Sequence, residues 1–191
     1  MLGLGVFGLS SFAFLGIAGR DLGPAGSAPL SVAWTVLNAV GIGLFLPLEQ
    51  EAGRRLSGAI AVDGGASVSM RGTLRYAVWA VAVLAVVGAA LHVPLSELIL
   101  GGERVLVAVL VLALAAQAAE YLARGVLAGT GQFGRYGSQL AVDGALRVAG
   151  AALVAASGNG SVLAYGAVLV AAPALATVVT LGARARRTGV A

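Results

Sequence analysis

Runs of about 20 apolar residues recur along this chain, each ended by a charged or proline-bearing break. A run such as VLVAVLVLALAAQAAEYLA, at 105–123, is long enough to cross the roughly 30 Å hydrocarbon core of a bilayer as a helix. Six runs have this character: 2–19, 30–48, 76–93, 105–123, 136–156 and 162–181. Composition leaves little alternative. With 59% hydrophobic and 10% charged residues, the chain cannot cover its outside with polar groups. Its mean hydropathy of +0.97 fits a surface solvated by lipid. The expectation is an all-α, polytopic membrane protein forming one six-helix lobe, with the lipid bilayer as its first partner.

Charge placement orients the runs. Lysine is absent, so all 12 basic residues are arginine. Arg54, Arg55, Arg71 and Arg75 follow the second run, Arg124 and Arg135 follow the fourth, and Arg184, Arg186 and Arg187 follow the sixth. The alternate breaks hold only Arg20 and Arg104. Cytoplasmic loops gather arginine, so both termini are expected in the cytoplasm. The same rule accounts for the net charge of +4 without a nucleic-acid partner. Arginine in place of lysine, amid abundant Ala, Val, Gly and Leu, suggests a high-GC bacterial source and hence the cytoplasmic membrane.

Several chemistries lack their residues. There is no cysteine, and the one histidine, His92, cannot form a histidine-based metal cluster. No GxSG with a later histidine is present for an intramembrane serine protease. DGALR at 143–147 imitates the opening of a CDP-alcohol phosphotransferase motif, but no Asp or Glu follows Asp143 to hold metal. No GxxxxGK[ST] loop offers ATP binding. The chain reads as a non-enzyme with no cofactor or metal. A membrane-embedded lipid-modifying transferase and a non-transporting scaffold or fragment are the alternatives to transport.

Charge inside a bilayer is costly and marks either function or an internal pair. Asp143 and Arg147 lie one turn apart, about 10 Å and 16 Å in from Tyr136 at helical rise. Glu120 stands near the cytoplasmic end of its run, with Arg124 one turn beyond. The short connector makes these two runs expected antiparallel neighbours, with Glu120 and Asp143 at similar depth. Two readings stay open. The charges line a water-filled cavity, where arginines meet an anionic substrate and carboxylates carry protons, or they are self-satisfied pairs that lock helices together. Arg20 either holds a phosphate or snorkels to anchor its helix end.

Glu49 and Glu51, with Arg54 and Arg55 in FLPLEQEAGRR, read as a hydrated helix end with local ion pairs. Residues 49–75 read as a solvated connector, or as an interfacial helix turning at Asp63-Gly64-Gly65. His92, Trp34, Trp79 and the tyrosines read as packing or interface residues. Gly125 with Gly129, and Ala39 with Gly43, have the spacing that lets helices approach closely in lipid.

Three stretches together carry a family likeness: RDLGPAGSAPLSVAWTVL (20–37), FLPLEQEAGRR (45–55) and EYLARGVLAGTGQFGRYG (120–137). They resemble the N-terminal half of polysaccharide-biosynthesis flippases, the oligosaccharidyl-lipid branch of the multidrug/oligosaccharidyl-lipid/polysaccharide exporter superfamily. The residues concerned are Arg20, Leu22, Gly23 and Pro24, then Arg124, Gly125, Gly129, Phe133 and Tyr136. Gly26-Ser27 stands where the family usually has an aromatic. The resemblance implies translocation of a lipid-linked, anionic oligosaccharide or polysaccharide precursor by alternating access between two lobes. This sequence covers one lobe, so the expectation is a fragment, or a lobe that pairs with a second six-helix lobe. Combined with the intramembrane charges, Arg20, Arg124 and Arg147 become the expected headgroup contacts. Glu120 and Asp143 become the expected orienting or coupling carboxylates.

Overall fold

The apolar runs fold as helices. The computed structural model describes residues 2–63 and 69–187, and among these no strand occurs. The elements are α1 (Leu2–Asp63), α2 (Arg71–Ala90), α3 (His92–Leu98), α4 (Val105–Gly129), α5 (Phe133–Ala156) and α6 (Val162–Arg187). Five of them, all but α3, are long and apolar enough to cross a membrane.

α1 contains the first two runs, broken at Gly23 with φ 70° and ψ 175°. Proline at 24 disfavours helical backbone for the residue before it, and a positive φ is open to glycine at little cost. The break folds α1 back on itself. Phe14 stacks on Trp34 with ring centroids 5.8 Å apart. Gly3 lies against Gly137, and Glu49 bonds to Tyr136, so both arms reach the first turns of α5. Arg20 and Asp21 therefore lie within a helix that runs to the break, past the end of the first apolar run.

Beyond the break α1 continues through Pro47 to Asp63. Its 24–63 arm rises about 60 Å, twice the hydrocarbon thickness. The stretch from residue 49 has two readings in the sequence, a solvated connector or an interfacial helix, and its backbone is helical to Asp63. Glu51 supports the extension by pairing with Arg54 (2.8 Å) and Arg55, three and four residues on. Of the expected Asp63-Gly64-Gly65 turn, the two glycines lie outside the described residues.

The arm is also held by close approach to α4. A Cβ on Gly125 would stand 2.6 Å from the Glu49 carbonyl oxygen, and one on Gly129 would stand 2.8 Å from that of Gly53. Only glycine admits this contact, which brings dispersion forces to bear where lipid removes the hydrophobic drive. The other spaced pair behaves differently: a Cβ on Gly43 meets nothing within 4 Å.

α4 and α5 are joined by three residues, 130–132, yet touch each other little. Each packs mainly on α1 and α6, which separate them. The expectation of directly adjacent neighbours is corrected accordingly: the short connector crosses one corner of the bundle. α2 ends at Ala90, before Pro94, which falls in the first turn of α3, where no amide donor is required.

The bundle is apolar on its outside as well as in its core, where Phe14, Leu37, Phe45 and Leu106 pack together, and its few buried charges lie within. Phe12 (79% exposed), Leu153 (72%) and Trp79 (65%) face outward, while Asp143 and Arg147 are at 0%. A surface of this kind is solvated by lipid, and charges kept from lipid are buried in the interior.

Candidate functional site

One polar stripe runs down each of two helices. On α4 it is Gln117, Glu120 and Arg124; on α5 it is Tyr136, Gln139, Asp143 and Arg147. The steps of three, four and seven keep each set on a single helix face. α1 closes the space between them with Glu49, Phe7 and Trp34. Glu120, Arg124, Gln139, Asp143, Arg147 and Glu49 are all buried.

Arg124 joins two carboxylates. Its Nε donates to Glu49 Oε2 at 3.0 Å, and its Nη1 donates to Glu120 Oε1 at 3.4 Å. The guanidinium also lies over the Tyr121 ring, 4.0 Å from the centroid. The Tyr136 hydroxyl donates to Glu49 Oε1 at 2.8 Å. Glu49 is thus held from α4 and α5 at once, although neither partner is near it in sequence. Replacing Tyr136 with Phe removes a bond to a charged acceptor, and the expected loss is about 1.5–3 kcal/mol of stability. Reversible unfolding in mixed micelles measures it. An unchanged midpoint would mean that the bond does not hold Glu49.

Deeper in α5, Arg147 Nε donates to both oxygens of Asp143 at 3.0 Å. Nη2 is 2.8 Å from Asp143 Oδ2 without the direction of a hydrogen bond, and Nη1 has no partner. The guanidinium lies between aromatic rings, 5.0 Å from the Trp34 centroid and 5.3 Å from that of Phe7. Gln139 links the two groups of charges. It precedes Asp143 by one turn and donates to the Glu120 carbonyl oxygen (3.5 Å) and to Thr177 Oγ1 (3.4 Å). The buried stripe contains three carboxylates, Glu49, Glu120 and Asp143, against two guanidiniums, Arg124 and Arg147.

Of the five site residues read from the sequence, the structure brings Glu120 and Arg124 together and pairs Asp143 with Arg147. Arg20 stands apart at the opposite end of the bundle. It is exposed, beside Asp21, which accepts a hydrogen bond from the Tyr165 hydroxyl at 2.8 Å. Sequence reasoning missed Glu49, Tyr136 and Gln139. Glu49 was separable from Glu51 by helical spacing. Three and four residues beyond Glu51 are Arg54 and Arg55, whereas beyond Glu49 they are Ala52 and Gly53, so Glu49 has no local partner. Tyr136 and Gln139 share the stripe of Asp143 and were legible as its continuation.

Among the described residues, no group of three His, Cys, Asp or Glu side chains gathers as a metal site. The arrangement can hold a proton or a cation against its extra carboxylate. If α1 moved away from the stripe, it would present two guanidiniums to an anion. No family model, no curated protein and no solved structure matches this chain.

Proposed function

We propose that this chain crosses the bacterial cytoplasmic membrane six times, with both termini inside, and translocates a lipid-linked anionic glycan precursor as one lobe of a two-lobe transporter. The two arms of α1, with α2, α4, α5 and α6, supply the crossings. Support for the orientation comes from the grouping of arginines. Arg55 approaches Gly72, Arg124 meets Glu49, and Arg135 Nη2 donates to the Thr180 carbonyl oxygen at 2.6 Å, all toward one end of the bundle. Arg104, paired with Glu97 at 3.7 Å, belongs to the other end.

The observation that carries the reading is the buried charged stripe shared by α1, α4 and α5. Burial of this kind is expensive in a bilayer, and a cavity that opens to water gives it a use. In alternating access, the second lobe draws α1 away and frees Arg124 and Arg147 to cradle the phosphate groups of the substrate. Glu120 and Asp143 then release their arginines and take up protons or another cation. Glycan export in cells that depend on this chain tests the proposal. Arg124→Ala and Arg147→Ala are expected to leave the precursor facing the cytoplasm. Export that persists without the chain would remove the reading.

A second reading is favoured by one observation. Asp143 and Arg147 are fully sealed, as in a lock that never opens. A helix-locking scaffold would tolerate Asp143→Leu with Arg147→Met in one chain without loss of export, whereas a transport cavity would not.

A further inference from the structure

A cavity of about 340 Å³ opens between the second arm of α1 and the first turns of α2. Pro47, Leu48 and the Tyr76 ring form its apolar walls, while Glu51, Arg55 and Thr73 supply polar ones. A pocket of this size with a few convergent polar groups suits one small ligand. It is distinct from the buried stripe, because Glu51 stands about 200° around α1 from Glu49.

Two donors at the cavity are unused. Thr73 is 4% exposed, and among the described residues its hydroxyl has no hydrogen-bond partner. A buried hydroxyl left unpaired costs stability, so its presence in this wall calls for an acceptor from outside the chain. Threonine in a helix has two χ1 wells, and rotation between them exchanges hydroxyl and methyl at the cavity wall. Arg55 gives its Nε to Glu51, whereas its Nη1 hangs over the start of α2, 3.6 Å from where a Cβ on Gly72 would stand.

The charge around these donors has one sign in excess. Met70 precedes α2 without a side-chain cap, which leaves the positive end of the helix dipole open. Arg71 and Arg75 flank Thr73, each two residues away. Glu51 is already bonded to both Arg54 and Arg55. The unused donors and the excess cation select an oxyanion, and the apolar walls select one carried on a carbon skeleton. A phosphate monoester has three terminal oxygens to share among guanidinium, hydroxyl and helix start, where a diester has two.

We infer that this cavity binds a phosphate monoester, with the phosphate between Arg55 and Thr73 and the organic part against Tyr76, Pro47 and Leu48. The site stands whether or not the chain translocates a glycan.

The test titrates the full chain, in phosphatidylcholine nanodiscs, with phenyl phosphate and with inorganic phosphate by isothermal calorimetry. Phenyl phosphate is expected to bind once per chain and several-fold more tightly than inorganic phosphate, because its ring leaves water. Arg55→Gln and Thr73→Val are each expected to weaken it by about tenfold or more, the loss of one bond to a charged group. Thr73→Val keeps the shape and removes an unpaired hydroxyl, so the ligand-free variant is expected to stay folded, with a raised thermal midpoint. Arg75→Gln does not touch the cavity and is expected to change affinity by less than about threefold. Weakening by Arg75→Gln equal to that by Arg55→Gln would mean diffuse attraction and overturn the inference. Absent binding, or unchanged affinity in Thr73→Val, would also overturn it. Phosphatidylglycerol and phosphatidic acid are then added to the bilayer in turn. Competition by phosphatidylglycerol, a diester, as strong as that by phosphatidic acid would remove the monoester assignment. Competition by phosphatidic acid alone would support the site with a lipid headgroup as its ligand, and competition by neither would support it with a soluble ester.

Discussion

Replacing Asp143 with alanine is expected to cost about 3–5 kcal/mol of stability, because it leaves a buried guanidinium without its counter-charge. Arg147 is at 0% exposure, so its side chain has no water to replace the lost carboxylate. Its Nε has only the Asp143 oxygens, and its Nη1 already lacks a partner. Among the described residues its guanidinium has no hydrogen-bond partner besides Asp143, and the flanking Trp34 and Phe7 rings supply only part of the lost stabilisation. Reversible unfolding in mixed micelles measures the effect. Asp143→Leu combined with Arg147→Met removes both charges and keeps the volume, and most of the stability is expected to return. A single substitution that costs less than about 1 kcal/mol would show that water or lipid headgroups reach Arg147.

The second large effect belongs to Gly125. A Cβ there stands 2.6 Å from the Glu49 carbonyl oxygen and 2.7 Å from the Ala52 Cβ, so even alanine forces the two helices apart. Gly125→Val adds two methyl groups at the same point and is expected to cost about 1–3 kcal/mol or more. The crossing it disrupts also sets the distance between Arg124 and Glu49, now 3.0 Å, so packing and ion pair fail together. Gly43→Ala is the control. Its Cβ meets open space, and the higher helix propensity of alanine favours the variant by up to about 1 kcal/mol. If both variants unfolded alike, close approach at Gly125 would not be what joins α1 to α4.

The all-helical, lipid-facing character was legible because it rests on local composition, and an apolar run has few other fates. The helix over 49–63 was only half legible, as the second of two readings of that stretch. Glu49–Asp63 looks like a loop by hydropathy, yet Glu51 pairs within the helix and Gly53 packs on α4. Pairings distant in sequence were hidden for another reason. Arg124 has an acid one turn away in Glu120, and that local partner masks the shorter bond to Glu49, 75 residues off. The order of helices around the bundle was misjudged because a short connector implies adjacency only when no other helix intervenes, and α1 and α6 do. Asp143 with Arg147 was readable as a pair from spacing alone, while its sealing by Phe7 and Trp34 required the fold at Gly23.

The glycine crossing has a thermal consequence. The outer face of the bundle is apolar before and after its helices separate within a bilayer, so separation exposes little hydrocarbon to water. The heat-capacity change that bends the stability curve of a water-soluble domain is correspondingly small. What joins α1 to α4 is dispersion at Gly125 and Gly129 with buried ion pairs beside it, and neither weakens on cooling as the hydrophobic effect does. The bundle therefore has an almost straight dependence of stability on temperature, falling steadily on warming and without a cold-unfolding limb.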